Sequence, residues 1–381
     1  MTLPSPSPSS ADKRSPWGAL VLALAALALA LALAEGLTRL AAALGVVDLQ
    51  PTLADVAPPE EIAQEVNRGP HTAQGPLYVG DPVLHHRMAP GWSGAFPPEI
   101  TARLGRGEIP IRTNRLGLRG PEPMEPKPAD LFRILVLGDS VAFGWGVREE
   151  DTFPSQLADL LTLLHPGQRF EVINAGVSGY GTWQQARWLE QEAGRLQPDL
   201  VVVQVHLNDA ADNLWGAVGQ ATGEAPRSWL AQRSALARLV QLALLARRGG
   251  GTGGGSCAND WSEPGRRVCW ETTLALLDDI RRTAQAYGAA TALMPVPMRW
   301  QVEAGIVDPR AWVDASLYQE PLGRYARREG WLFADPLPAF QGAAAGGQGS
   351  LFLDVGHPNE AGHRLLAQVL YRTLNQAGAL P

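Results

Sequence analysis

The stretch R-I-L-V-L-G-D-S-V-A-F-G-W-G, residues 133–146, is the one whose reading decides the fold. Arg133 to Leu137 is a short apolar, β-branched run of the kind that forms a buried strand, and Gly138-Asp139-Ser140 breaks it at a turn. A hydroxyl presented at the edge of a sheet is a candidate nucleophile, which singles out Ser140. The plain alternative is that a serine after a strand caps a helix, and the tripeptide alone does not choose between the two.

Partners decide, because a serine hydroxyl is a poor nucleophile until a base takes its proton and donors stabilise the oxyanion that follows. Asn174-Ala175-Gly176-Val177-Ser178-Gly179 follows the run Phe170 to Ile173, again a strand leading into a turn, where Gly179 lets backbone N–H groups approach a ligand. A third apolar run, Leu200 to Val205, ends in His206-Leu207-Asn208-Asp209, and the Asn208 amide is a further donor. Near the C-terminus L-F-L-D-V-G-H-P-N-E-A-G-H places Asp354 three residues before His357, a spacing that lets a carboxylate hold the imidazole Nδ1–H while Nε2 faces the serine.

Together, and in this order, the four stretches resemble the signature blocks of the SGNH/GDSL hydrolase family, over about residues 130–378. The resemblance implies Ser140 as nucleophile, His357 as base with Asp354 orienting it, and an oxyanion hole of Gly179, Asn208 and the Ser140 backbone N–H. One departure concerns the third block, usually G-x-N-D, where His206 stands in the glycine position as a possible substrate contact. A looser resemblance, to exported relatives with an N-x-x-G-[FL]-R-G segment ahead of the nucleophile strand, matches Asn114, Gly117 and Arg119. Arg119 there either reaches an anionic substrate or ties a loop down through a carboxylate, and Asn114 goes with it as a possible contact.

From Leu131 onward strand-like runs at 133–137, 170–174, 200–205, 290–295 and 332–335 alternate with helical patterns at 152–164, 182–196, 271–287, 316–328 and 359–376. Alternation of this kind predicts an α/β fold with a parallel sheet covered by helices on both faces, its active residues at strand C-terminal ends. The family resemblance implies a flavodoxin-like three-layer sandwich with a five-stranded parallel sheet. His363, six residues after His357, lies on another face of the last helix and reads as structural.

Ahead of this domain, residues 1–14 are rich in Pro and Ser and read as a disordered cytoplasmic tail. The span 15–34 holds 20 residues without a charge, enough at about 1.5 Å each to cross a bilayer. It reads as a transmembrane signal-anchor, with a cleaved signal peptide ending at Ala34 as the rival. Lys13 and Arg14 then stay cytoplasmic and the catalytic part lies outside, periplasmic or extracellular. Residues 35–70 form a linker, and 71–128 an extended, β-rich segment laid against the hydrolase domain of 129–381. Adjacent His85 and His86 read as surface residues, because neighbouring side chains diverge in an extended chain.

Residues 211–270 form an insertion with an apolar helix at 228–247, either a lid or a cover for the sheet edge, followed by a glycine tract. Cys257 and Cys269, the only two cysteines, are expected to form a disulfide in an exported chain. Nearby Trp261 and Trp270 read as packing residues.

A net charge of −6 on 381 residues, with both signs interspersed, argues against a nucleic-acid surface. No phosphate-binding loop or cysteine metal knot is present, so no cofactor or metal is implied. These features describe a membrane-tethered serine esterase acting on O-acyl esters of a carbohydrate, lipid or small molecule. The alternatives are an O-acyltransferase modifying envelope polysaccharide with the same triad, and a non-catalytic binding or scaffold protein that keeps the fold.

Overall fold

The computed structural model describes residues 26, 30–41, 71–72, 75–207, 209, 213, 236, 264–303, 318–347 and 349–381, with the side chains of 71, 72, 99 and 264–269 excepted. The chain divides into two units, one of residues 1–52 with 226–245, the other of 53–225 with 246–381. In the first, residues 30–41 are helical and Glu35 accepts hydrogen bonds from Arg39 Nε and the Leu236 amide. Among the described residues no helix is long and apolar enough to cross a membrane. Most of the 15–34 run, most of the 228–247 helix, the glycine tract and Trp261 lie outside those residues, as do Cys257 and the side chain of Cys269.

The second unit opens with short strands and one helical turn: β1 (His71–Thr72), β2 (Gly75–Pro76), β3 (Tyr78–Asp81), β4 (His85–Met88), β5 (Ser93–Ala95), α1 (Pro98–Arg103) and β6 (Pro110–Arg112). They pair as three two-stranded antiparallel ribbons. Then come β7 (Leu131–Gly138), α2 (Ser140–Phe143), α3 (Phe153–Leu164), β8 (Arg169–Gly176), α4 (Thr182–Leu196) and β9 (Leu200–Val205). The C-terminal part adds α5 (Pro264–Ala286), β10 (Ala290–Pro295), α6 (Arg299–Val302), α7 (Gln319–Glu329), β11 (Leu332–Phe333), α8 (Leu337–Ala345) and α9 (Glu360–Gln376). Strands β7 to β11 form one parallel sheet in the order β11-β10-β9-β7-β8, the doubly wound arrangement of flavodoxin-like folds.

Strand alternation sorts the core into two layers. Leu135, Leu137, Val201 and Val203 face a cluster with Leu189 of α4, Leu277 and Ile280 of α5, and Leu322 of α7. Ile134, Val136, Leu200 and Val202 face the other side, with Leu157 and Leu161 of α3, Phe340 of α8, and Leu366 and Leu370 of α9. The helix before β10 begins at Pro264, seven residues ahead of the sequence expectation, so Cys269 and Trp270 sit inside it rather than in the insertion. Trp270 is fully buried and stacks on Tyr318 at 6.0 Å.

Because chain order reverses between β8 and β9 on either side of β7, a crevice opens at the C-terminal end of β7, and Ser140 lies there. The turn that carries it presses on the sheet at Gly138 and Gly176, which are paired in register. A Cβ on Gly176 would run into the Phe143 amide and stand 2.6 Å from the Ala142 carbonyl carbon. Since that obstacle is backbone, Gly176→Ala must displace α2. We expect it to destabilise the fold by about 2 kcal/mol, measured by chemical denaturation, and to lower activity disproportionately; wild-type values for both would contradict this close approach.

Candidate active site

Three side chains predicted from sequence meet at this crevice. Ser140 Oγ is 2.9 Å from His357 Nε2, and His357 Nδ1 is 2.8 Å from Asp354 Oδ2. The serine and histidine are 217 positions apart in the chain. Asp354 Oδ1 also accepts the Gly356 and His357 amides, both at 2.9 Å, which coils the loop around the carboxylate. Burial alone would raise the Asp354 carboxyl, but the His357 hydrogen bond and charge and the two amide donors outweigh it and hold the group well below the usual carboxylate range. In this geometry a carboxylate orients an imidazole that can take a hydroxyl proton.

The nucleophile turn is held by polar groups to which the sequence alone assigned no such role. Asp139 caps α2 by accepting the Val141 amide at 2.8 Å. Gln204, fully buried in β9, accepts the Asp139 and Ala142 amides at 3.1 and 3.3 Å. Asn174 of β8 donates to the Ala142 carbonyl at 2.7 Å. A glutamine inside L-V-V-V-Q-V was the available signal, because a polar side chain in a fully buried strand needs a partner. Trp145 was also missed: its indole stacks on the His357 ring with centroids 4.5 Å apart and planes 29° from parallel.

The remaining predicted residues divide. Gly179 stands in the turn after β8 with φ +81°, the left-handed region. Asn208 lies outside the described residues. His206 is largely buried, its Nδ1 3.7 Å from Asp139 Oδ2 and its ring against Gly356, where an added Cβ would come within 3.0 Å of Cε1. It therefore fills the space between nucleophile turn and base loop.

Two expectations are corrected. Arg119 does not reach substrate: it is 1% exposed and donates to the Phe143, Gly144 and Val147 carbonyls at 2.9, 2.7 and 2.8 Å. It does tie a loop down, but through carbonyls rather than a carboxylate. Burial draws its guanidinium down to about 10 while Glu149 and Tyr78 pull the other way, leaving a cation at neutral pH. Asn114 is buried as well, donating to the Pro121 carbonyl and accepting the Leu116 and Leu118 amides.

His86 is not a surface residue either. It is 2% exposed, its Nε2–H donates to the Ser178 carbonyl at 3.0 Å, and Tyr180 donates back to the His86 carbonyl at 2.8 Å. Strand β4 thereby braces the turn that holds Gly179. Elsewhere in the same N-terminal segment, Arg106 makes a bidentate pair with Glu360, three residues beyond His357, with Nη2 2.6 Å from Oε2. The nucleophile turn, the Gly179 turn and the base loop are each gripped from residues 86–119.

The family model of GDSL-like lipases and acylhydrolases matches residues 136–365, more than half of the 381 residues. Fold and site thus define a serine hydrolase of the ester-cleaving class. The chain belongs to the GDSL-like lipase/acylhydrolase family. An arylesterase of Vibrio mimicus is 39% identical over 77 residues, which cover 20% of this chain and 38% of that protein, so the match spans well under half of the relative. Among solved structures, TesA superimposes with TM-score 0.40 and 20% identity over 65% of this chain and 99% of its own. Axe2, an acetylxylan esterase from Geobacillus stearothermophilus, gives 0.39 and 18% over 66% and 96%.

Two buried histidines make stability depend on pH. Burial lowers His86 from 6.5 to about 4 and His363 to about 3; the latter accepts the Phe153 amide on Nδ1. The unfolded chain therefore binds their protons first. Stability is full above the unfolded value and falls as pH drops below about 6.5, by up to about 1.4 kcal/mol per pH unit for each histidine, until the folded values are reached. Denaturation midpoints between pH 7 and 4 should show this fall, and His363→Asn should remove about half of it, leaving the His86 part; a pH-independent midpoint would contradict the burial. Arg119→Met takes the guanidinium's donors away from three buried carbonyls and should destabilise by on the order of 3 kcal/mol, read by the same denaturation at pH 7.

Proposed function

We propose that this chain is an exported, membrane-tethered serine esterase that removes O-acyl groups through an acyl-Ser140 intermediate. The observation that carries the reading is the unbroken line from Asp354 through His357 to Ser140, with steps of 2.8 and 2.9 Å. His357 Nε2 takes the Ser140 proton as Oγ attacks the ester carbonyl, and the resulting imidazolium is held by the Asp354 carboxylate. The oxyanion draws on the Ser140 amide, the first of α2 and so without an acceptor inside the helix. Gly179 and Asn208 supply the further donors. His357 then passes its proton to the leaving alcohol, and water, activated by the same imidazole, releases the acid.

The family match and the Vibrio mimicus arylesterase support ester cleavage. The substrate class this reading takes is an acylated carbohydrate, lipid or small-molecule ester. The uncharged 15–34 run behind Lys13 and Arg14 supports an anchor with the catalytic part outside the cytoplasm.

The test is a fluorophosphonate probe on the full chain in detergent, with the adduct mapped by mass spectrometry, beside turnover of p-nitrophenyl acetate and of an acetylated oligosaccharide. Labelling at Ser140 is expected, with Ser140→Ala and His357→Ala each losing turnover on the order of 10⁴-fold or more and the double variant losing no more than either. Labelling at Ser178, or none in a folded protein, would overturn the reading. Product appearing on an added sugar instead of as free acetate would replace hydrolysis with acyl transfer.

A further inference from the structure

The two hydrogen bonds on His357 hold its two ring nitrogens. Asp354 pairs with Nδ1 and Ser140 with Nε2, contacts that fix where the nitrogens lie but oppose rotation of the ring plane about the axis through them only by bending. That rotation swings the Nε2 lone pair off Oγ, and a base misaimed by about 1 Å loses on the order of 10²-fold in rate. One part of the ring is open to solvent, the His357 side chain being 23% exposed. A contact on the ring face is what blocks the rotation, and Trp145 supplies one.

Trp145 is built to stay there. Its amide donates to the Ser140 carbonyl at 2.9 Å, so the indole is carried by the same short turn as the nucleophile. Gly144 and Gly146 on either side have φ +83° and +75°, left-handed conformations that set the direction in which the indole leaves the turn. A Cβ on Gly146 would stand 2.7 Å from Leu353 Cδ1 and 3.0 Å from Leu104 Cδ1, so the segment lies directly on the base loop and on the end of α1. Phe96 braces the indole edge-on, with centroids 6.2 Å apart and planes at 83°.

We propose that Trp145 is a positioning residue of the reaction: it fixes the plane of the His357 imidazole, so that one turn presents both the nucleophile and the surface that aims its base. The inference rests on the reading of Ser140 and His357 as nucleophile and base. Its test separates the two.

Trp145→Leu keeps bulk without an aromatic face and Trp145→Phe keeps a smaller face; both are compared with wild type by turnover of p-nitrophenyl acetate, by the rate of fluorophosphonate labelling and by ¹H NMR of histidine-labelled full chain. Trp145→Leu is expected to lower kcat and the labelling rate by the same factor, about 10–100-fold, with KM unchanged and an unaltered thermal midpoint. Trp145→Phe should recover most of both. The His357 ring protons, assigned through His357→Gln, should move downfield in Trp145→Leu as the indole ring current is lost. A rise in KM with labelling unchanged would make Trp145 a substrate platform and overturn the proposal. Identical His357 ring signals in wild type and Trp145→Leu would overturn it too, whether or not any ester is turned over. Absence of wild-type labelling at Ser140 would strike the parent reading, and the NMR comparison would still decide whether the indole holds the imidazole.

Discussion

The nucleophile turn sits where two strands and a helix come closer than side chains allow, and the site is built outward from that close approach. Gly138 and Gly176 face each other across β7 and β8, and α2 lies on them with no room for a Cβ. Chain brought so near a sheet buries its amides and carbonyls, and each buried backbone group needs a partner. Gln204 takes two amides from below, Asn174 gives a donor to Ala142, and Arg119 gives donors to three carbonyls from the last residue of the helix onward. Ser140, partly buried, is thereby presented at the crevice on a support with little freedom to move.

That support extends beyond the α/β domain. Three separate loops must converge for this chemistry, and parallel strands set only their roots. Contacts from residues 86–119 fix the tips: His86 on Ser178, Arg119 on the nucleophile turn and Arg106 on Glu360 beside the base loop. Trp145 then joins nucleophile turn to base through the face of an imidazole. The segment preceding the sheet thus packs on all three of these loops.

Strands were legible because each is an apolar run ended by glycine or a polar turn. Leu200–Val205 has the predicted bounds, and Leu131–Gly138 contains the predicted 133–137. Helix α4 falls at Thr182–Leu196 as its periodicity foretells. The triad residues were legible for a different reason: a nucleophile, a base and an orienting acid need particular side chains, and these stand in motifs of fixed local spacing. The start of α5 at Pro264 was missed because a glycine and two arginines precede its apolar stripe.

What the sequence by itself determined is therefore local: strand runs, turn glycines and the Asp354-to-His357 spacing, all set within a few residues by periodicity and backbone freedom. What only the tertiary structure decided is which distant groups meet. Arg119 and Asn114 read as candidate substrate contacts because a polar residue in a turn is ambiguous until its surroundings are known; burial at 1% and 5% exposure settles both as internal ties. His86 read as surface because it diverges from His85 in an extended chain, a local fact that does not say which side chain the rest of the fold covers. Trp145 carried no chemical label at all, since an indole becomes part of an active site only by lying 4.5 Å from an imidazole more than two hundred residues away. Long-range pairing depends on the order of the strands and on which loops the sheet's twofold winding brings to one edge, and no local window of sequence contains that information.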